Sequence, residues 1–212
     1  MRLTKLGHAC VRIEHDNGVL VLDPGVFTDP AAMDGATAVL LTHEHPDHYL
    51  PDHLKLTDAP VYTISAVADL IRKDAPAVAE RTTVVAPGEG FRVDGLPVTT
   101  VGEQHAVLHP HWPVSHNSGY VIEVDDSVLY HPGDAFTPPG RDIDILLAPT
   151  SAPWARAYEL IDFMQEVKAP VNIAIHDRIY SEAGAGIIDM QAGAFLTPEG
   201  QEFKRLKDGE DL

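Results

Sequence analysis

Short apolar runs recur along this chain, and several stop abruptly at an acid or a histidine. Val11 and Ile13 alternate with polar neighbours, the period of a half-buried strand. Asp16-Asn17-Gly18 is a hairpin-turn signal, and Val19–Leu22 follows as a buried strand that ends at Asp23-Pro24-Gly25. The chain therefore opens with an antiparallel meander. Residues 26–36, with Pro30 and Gly35, read as loop, and Thr37–Leu41 is the next buried strand. Pro51–Lys55 predicts a short helix with proline in its first turn. Val61–Thr63 is a short strand, and Ser65 is positioned to cap a helix over Ala66–Lys73, whose Val67, Leu70 and Ile71 share a face. Thr82–Val85 returns to strand, and Phe91–Val93 pairs with Val98–Val101 around Asp94-Gly95.

After Gly102 the texture changes. His105, His109, His111 and His116 lie among Pro110, Trp112 and Pro113, which predicts a long structured loop of the functional kind. Gly119–Val124 and Ser127–Tyr130 pair across Asp125-Asp126, and the second runs into His131-Pro132-Gly133-Asp134. Ile143–Leu147 is a buried strand, Trp154–Val167 carries helical periodicity, and Val171–Ile175 is a buried strand ending at His176. A helix over Ser181–Gln191, a last strand at Ala194–Leu196 and a frayed charged tail from Lys204 to Leu212 complete the reading. No repeat and no compositional linker divides the chain, so residues 1–212 read as one domain of the α+β class, sheets inside and helices outside.

Composition narrows the function. The 212 residues are 44% hydrophobic, enough for a buried core, and 15 basic against 32 acidic residues give a formal charge of −17. Such a field repels nucleic acids and anionic membranes, although a buried cation could still hold a small anionic group. A small-molecule substrate is the expected partner; oligomeric state is left open. Cys10 is the single cysteine, which excludes an intramolecular disulfide and a cysteine-built zinc site, and it reads as a small buried residue rather than a nucleophile. With no signal-peptide pattern and no membrane-length apolar run, the expected location is the cytoplasm.

Candidate chemistry concentrates where strands end. The run Val39-Leu40-Leu41 delivers His43-Glu44-His45-Pro46-Asp47-His48, nitrogen and oxygen donors that a divalent cation would gather. Asp23, Asp134 and His176 also follow apolar runs, as does His105 after Val98–Val101. His43, His45 and His105 form one candidate three-nitrogen set; Asp47, His48 and His176 form a second, with Asp134 bridging. Two divalent ions roughly 3.5–4 Å apart can activate a water between them and polarise a carbonyl or phosphoryl oxygen.

The pattern His-x-His-x-Asp-His at 43–48 resembles the marker motif of the metallo-β-lactamase fold superfamily. Asp23, His105, Gly133-Asp134 and His176 match further family positions in order, and Gly7-His8-Ala9 is similar to the branch related to ascorbate-6-phosphate lactonase and small bacterial hydrolases. The resemblance implies a four-layer αββα sandwich with metals at one edge of the two sheets. It also implies Asp23 behind the histidine loop as its orienting acid, an expectation that fits the need of ligating histidines for an acceptor. The implied activity is metal-dependent hydrolysis of a small ester, lactone or phosphodiester, with Asp47 both ligating and orienting the nucleophile. Zinc is the expected metal, with manganese or iron as alternatives. His109, His111 and His116 compete with His105 as ligand or contact substrate, and His8 contacts substrate from the site edge or caps a turn. His15, His53 and His131 read as surface or structural, and Trp112 and Trp154 as core. A non-catalytic metal-binding or ligand-sensing module on the same fold is the rival reading. A nuclease is disfavoured by charge and by the lack of room for an extra insert, and a di-iron redox role by the absence of a flavin-binding domain.

Overall fold

Two sheets account for the apolar runs. A computed structural model describes residues 1–212. The first sheet has six strands in the order β1 (Arg2–Leu6), β2 (Cys10–His15), β3 (Gly18–Leu22), β4 (Ala38–Leu41), β5 (Val61–Thr63) and β6 (Thr82–Val84). Its first three strands are the expected antiparallel meander, and from β3 onward the pairing is parallel. The second sheet has seven strands: β7 (Gly90–Val93), β8 (Leu96–Val101), β9 (Gly119–Val124), β10 (Ser127–His131), β11 (Ile145–Pro149), β12 (Val171–Ile175) and β13 (Glu202–Lys204), paired in that order. Pairs up to β9–β10 are antiparallel and those from β10–β11 to β12–β13 are parallel.

Side chains alternate across each strand, so each sheet presents two faces. The inner faces meet in one core that includes Leu20, Leu22 and Leu40 from the first sheet and Tyr120, Ile122, Leu147 and Ile173 from the second. Outside the first sheet, Val21, Val39 and Leu41 pack on α1 (Pro51–Leu54), α2 (Ser65–Asp74) and α3 (Pro76–Ala79) through Leu54, Val67, Ile71 and Val78. Outside the second, Val121, Tyr130 and Leu146 pack on α4 (Ala157–Val167) and α5 (Glu182–Leu196) through Leu160, Met164, Ile188 and Ala192. The four layers are αββα. Strands buried on both faces read as continuous apolar runs rather than alternations, which is why β4 and β11 are Ala-Val-Leu-Leu and Ile-Leu-Leu-Ala-Pro.

Several local expectations need correction. Ser65 is the first helical residue of α2, with Ile64 at the cap, because the serine makes no capping bond. The strand expected at 143–147 is shifted to Ile145–Pro149, and the helix expected from Trp154 starts at Ala157, where Glu159 closes back on the Arg156 amide. Residues 194–196 are the last turn of α5, not a strand; apolar content cannot separate a buried strand from a helix end. The tail is not frayed. Leu206 is buried, and Gly209, Glu210 and Leu212 exchange backbone hydrogen bonds with Lys5 and Leu3.

Candidate metal centre

The first turn after β4 is built around Asp23. Its backbone is left-handed at φ 46°, which turns the carboxylate inward as β3 ends. Its Oδ1 accepts from the Thr42 amide at 2.8 Å, and Oδ2 accepts from the Thr42 hydroxyl at 2.7 Å and from His48 Nδ1 at 2.7 Å. The Thr42 hydroxyl in turn lies 3.0 Å from His43 Nδ1, whose N–H it accepts because its own proton goes to Asp23. One buried acid thus sets the orientation of two histidines. Gly25 is required by close approach: a Cβ there would lie 2.0 Å from the backbone carbon and oxygen of Asp47.

The second sheet supplies the remaining side chains. Asp134 follows β10, and its amide donates to Asn117 Oδ1 at 3.0 Å while Asn117 Nδ2 donates to the Pro132 carbonyl at 2.9 Å. His105 follows β8, and its Nδ1 donates to the Ala106 carbonyl at 2.5 Å. His176 follows β12 in a left-handed turn at φ 54°, and its Nδ1 donates to the Ser151 carbonyl. Two hydrogen bonds fasten the sheets just beneath: Tyr120 Oη to the Leu41 carbonyl at 2.9 Å and the Ser118 amide to the Thr42 carbonyl at 3.1 Å.

The donor atoms converge in two sets. His43, His45, His105 and Asp134 make one; Asp47, His48, Asp134 and His176 make the other; within each set the atoms lie within 4.8 Å of one another. The spacing fits metal ligation. Donors held tetrahedrally at ~2.0–2.1 Å from one ion lie about 3.3–3.4 Å apart. Here His43 Nε2 is 3.1 Å from His45 Nδ1, and His105 Nε2 is 3.3 Å from Asp134 Oδ2. In the second set His48 Nε2 is 3.1 Å from Asp134 Oδ1, and His176 Nε2 is 3.1 Å from Asp134 Oδ2 and 3.2 Å from Asp47 Oδ2. The Nε2 atoms of His48, His105 and His176 and Oδ1 of Asp134 are buried without a hydrogen-bond partner, a cost that ligation to cations would remove.

The electrostatics carry the same signature. Burial, helped by the His48 charge, drives His43 well below its ordinary range. Burial, the largest single influence, works the same way on His48 and His176, but it is outweighed by the Asp134 and Asp23 carboxylates together at His48 and by Asp134 and Asp47 together at His176; His48 is raised well above its usual range and His176 to about 9. Burial opposes ionisation of Asp134 and Asp47, yet the surrounding histidines hold both carboxyls below their usual range. These carboxylates are kept anionic and call for positive charge between them.

Other sequence candidates lie elsewhere. His109, His111 and His116 belong to neither set; His109 and His111 are exposed near the tip of the 102–118 loop, and His116 pairs with Gln104 at its base. His8 is fully buried with Nε2 at 3.5 Å from Asp47 Oδ2. His53 and His131 are structural rather than surface: His53 Nδ1 donates to the Pro24 carbonyl and His131 Nε2 to the Ala9 carbonyl. Cys10 is buried, and burial pushes its thiol pKa up, away from nucleophilic use. Neither tryptophan is core: Trp112 is 67% exposed, and Trp154 packs edge-on against His105 at 5.6 Å and against Phe136 at 5.3 Å. Thr42, Asn117 and the Ser151 carbonyl were missed, since no motif distinguishes a positioning hydroxyl, amide or carbonyl from ordinary polar chain.

Known proteins agree with this architecture. The model of the β-lactamase superfamily domain matches residues 2–176, which contain every donor of both sets. Protein Rv0786c of Mycobacterium tuberculosis is 35% identical over 192 residues, covering 88% of this chain and 89% of that protein. A UPF0173 metal-dependent hydrolase of Thermococcus onnurineus is 29% identical over 148 residues, 66% of this chain and 63% of that protein. Igni18, a metallo hydrolase from the archaeon Ignicoccus hospitalis, superposes with a TM-score of 0.76 at 17% identity, over 100% of this chain and 97% of that one. On its fold and on the extent of the family match, the chain belongs to the β-lactamase superfamily.

Proposed function

We propose that this protein is a metal-dependent hydrolase that holds two divalent ions and acts on a small ester, lactone or phosphodiester. The observation that carries the reading is the shared carboxylate: Asp134 completes both donor sets from a buried position. His43, His45 and His105 would hold one ion, and Asp47, His48 and His176 the other. Such ions supply a water nucleophile at neutral pH and polarise the oxygen of the bond to be broken. Zinc suits the nitrogen-rich donors best, with manganese or iron as alternatives. Asp47 is the catalytic carboxylate of this reading: at 27% side-chain exposure it is the most accessible acid of the two sets, able to accept a hydrogen bond from a nucleophile and to orient it.

The residues around the donors support a carboxylic ester or lactone over a phosphodiester. A cleft of about 370 Å³ opens beside His45, walled by Leu108, Trp112, Pro113 and Ser115, with no lysine or arginine on it. Trp154 and Leu108 line a second cleft whose only cation, Arg156, is paired with Glu159 at 3.6 Å. Apolar walls hold acyl groups and exclude water, and a formal charge of −17 repels anions in bulk. The same charge underlies the assignment to small molecules rather than nucleic acid or membrane; no helix is long and apolar enough to cross a membrane. The unpaired, buried Cys10 fits a cytoplasmic setting.

Metal analysis of purified protein and a hydrolytic screen test this. Two divalent ions per chain, turnover of lactones or esters in preference to bis(p-nitrophenyl) phosphate, and loss of turnover in Asp47→Ala are expected. Metal-free protein that cannot be loaded, or an Asp47→Ala variant as active as wild type, overturns it.

A further inference from the structure

Six histidines meet at the centre, and His8 differs from the others in how its ring is tethered. His48, His105 and His176 each donate from Nδ1 to a fixed acceptor, and His43 does so to the Thr42 hydroxyl, so all four turn Nε2 to the donor sets. His8 is inverted. Its Nδ1 lies 2.9 Å from the Arg178 backbone nitrogen, which can only donate, so Nδ1 is the acceptor and the neutral ring carries its proton on Nε2. That Nε2 is fully buried and without a partner in hydrogen-bond geometry, and Asp47 Oδ2 lies 3.5 Å from it, the long edge of hydrogen-bond reach.

The ring is held in place by a dedicated set of contacts. The His8 carbonyl accepts the His176 amide at 2.7 Å, so residues 176 and 178 grip His8 at both its backbone and its ring. The imidazole packs on His176 with centroids 3.9 Å apart and meets the Phe27 ring edge at 5.3 Å. Gly7 makes the approach feasible: it sits at φ 81°, and a Cβ there would come within 2.2 Å of the Phe27 carbonyl oxygen. Asp208 accepts the Gly7 amide at 2.5 Å and Lys5 Nζ donates to the Gly7 carbonyl at 3.1 Å, which fixes the turn from the other side.

We infer that His8 is not a metal ligand but a positioning residue, a fixed Nε2–H donor that orients the Asp47 carboxylate for the second ion. A ligating nitrogen needs a free lone pair, and the Arg178 amide denies one to Nε2. A carboxylate ligand needs an outside donor to hold its plane, and removing such partners costs ~10–100-fold in metal affinity. No hydrogen bond, ion pair or ring contact joins His8 to the first donor set, so its loss reaches that set only through the shared Asp134.

The inference rests on the two-ion reading, and stepwise metal titration with a chromophoric chelator as competitor separates the two. Wild-type protein that takes up no second ion overturns the two-ion reading and this inference with it. Given two ions in wild type, His8→Phe should weaken the second by ~10–100-fold and the first by less, while His8→Gln, which restores an N–H, loses less. Equal loss of both ions, or none, in a His8→Phe variant that melts as a folded protein overturns the inference alone. A long-range proton–nitrogen NMR spectrum of unmodified protein covers the case where His8→Phe does not fold. The His8 ring should be protonated on Nε2 before and after metal loading, whereas a proton on Nδ1 or a metal-induced shift at Nε2 refutes it.

Discussion

Asp23→Asn is the most telling perturbation of the centre, because it changes one atom and leaves the shape intact. Three donors converge on the two oxygens of Asp23: the Thr42 amide on Oδ1, and the Thr42 hydroxyl and His48 Nδ1 on Oδ2. Asparagine tolerates the left-handed backbone at φ 46°, so the turn survives. It offers only one oxygen, however, and its amide must then face a donor. The Thr42 amide is fixed at the end of β4, so the oxygen stays there and the NH2 group faces His48. To keep a hydrogen bond, the His48 ring must accept at Nδ1 and carry its proton on Nε2, the atom aimed at Asp134. The variant thus presents an N–H where the second ion needs a lone pair. Loss of a partner of this kind costs ~10–100-fold in metal affinity, which at 1.4 kcal/mol per decade is about 1.4–2.8 kcal/mol. Leaving a buried donor unpaired instead would cost folding stability by about 1–3 kcal/mol. Competition titration should show the second ion weakened more than the first, and Asp23→Ala, which imposes no tautomer, should weaken it no more than Asp23→Asn does. Wild-type metal constants in Asp23→Asn, or a deeper loss in Asp23→Ala, would refute the tautomer argument.

Three further outcomes follow from the geometry. His176 has its pKa raised from 6.5 to about 9, as Asp134 and Asp47 together overcome burial, so its pairing stabilises the metal-stripped protein fully below pH 6.5 and is lost as pH rises through about 9. The change is on the order of 3 kcal/mol, so the melting temperature of stripped protein should fall over that window, whereas metal loading, which needs deprotonated histidines, should strengthen; parallel profiles would contradict this. Gly25→Ala drives a methyl to 2.0 Å from the Asp47 backbone, so thermal melts should show a loss of about 1–3 kcal/mol together with weakened binding of the second ion, and an unaffected variant would refute the close approach. Trp112→Ala removes a wall of the cleft beside His45, so steady-state kinetics on a hydrolysed ester should show KM raised and kcat held, and an unchanged KM would take the substrate away from that wall.

How much of this was legible in the sequence depends on which interactions write themselves into it. Strands buried on two faces are mainly apolar, so β3, β4 and β12 and the acid or histidine that ends each could be read directly, with Asn172 the one buried polar side chain among them. The 43–48 cluster is local, and its six residues carry four donors without help from the fold. What could not be read depends on distant backbone. The tail from Lys204 looks frayed because its charges are visible and the strand β1 that captures it is more than 190 residues away. Trp112 and Trp154 have the composition of core residues, yet loop geometry leaves one exposed and sets the other against His105. The role of His8 depends on which nitrogen the Arg178 amide meets, a fact no spacing rule carries.

The two donor sets are joined in a way that would make two bound ions chemically unequal. The first set is three imidazoles and a share of Asp134; the second has two imidazoles, Asp47 and the other share. Nitrogen-rich surroundings favour zinc, and added carboxylate favours harder cations such as manganese or ferrous iron. Asp134 cannot give its full charge to both, so whichever ion arrives first lowers the field available to the other. The four 43–48 donors come from the first sheet, while Asp134, His105 and His176 come from the second, so any ion in either set bridges the two. Hydrogen bonds from Tyr120 to Leu41 and from Ser118 to Thr42 also close that seam. The protein's own hydrogen bonds therefore help to hold the donors at ligand spacing. Those bonds leave the Asp134 and Asp47 carboxylates and the unpartnered Nε2 atoms around them to be satisfied, and that unsatisfied polarity would favour metal uptake.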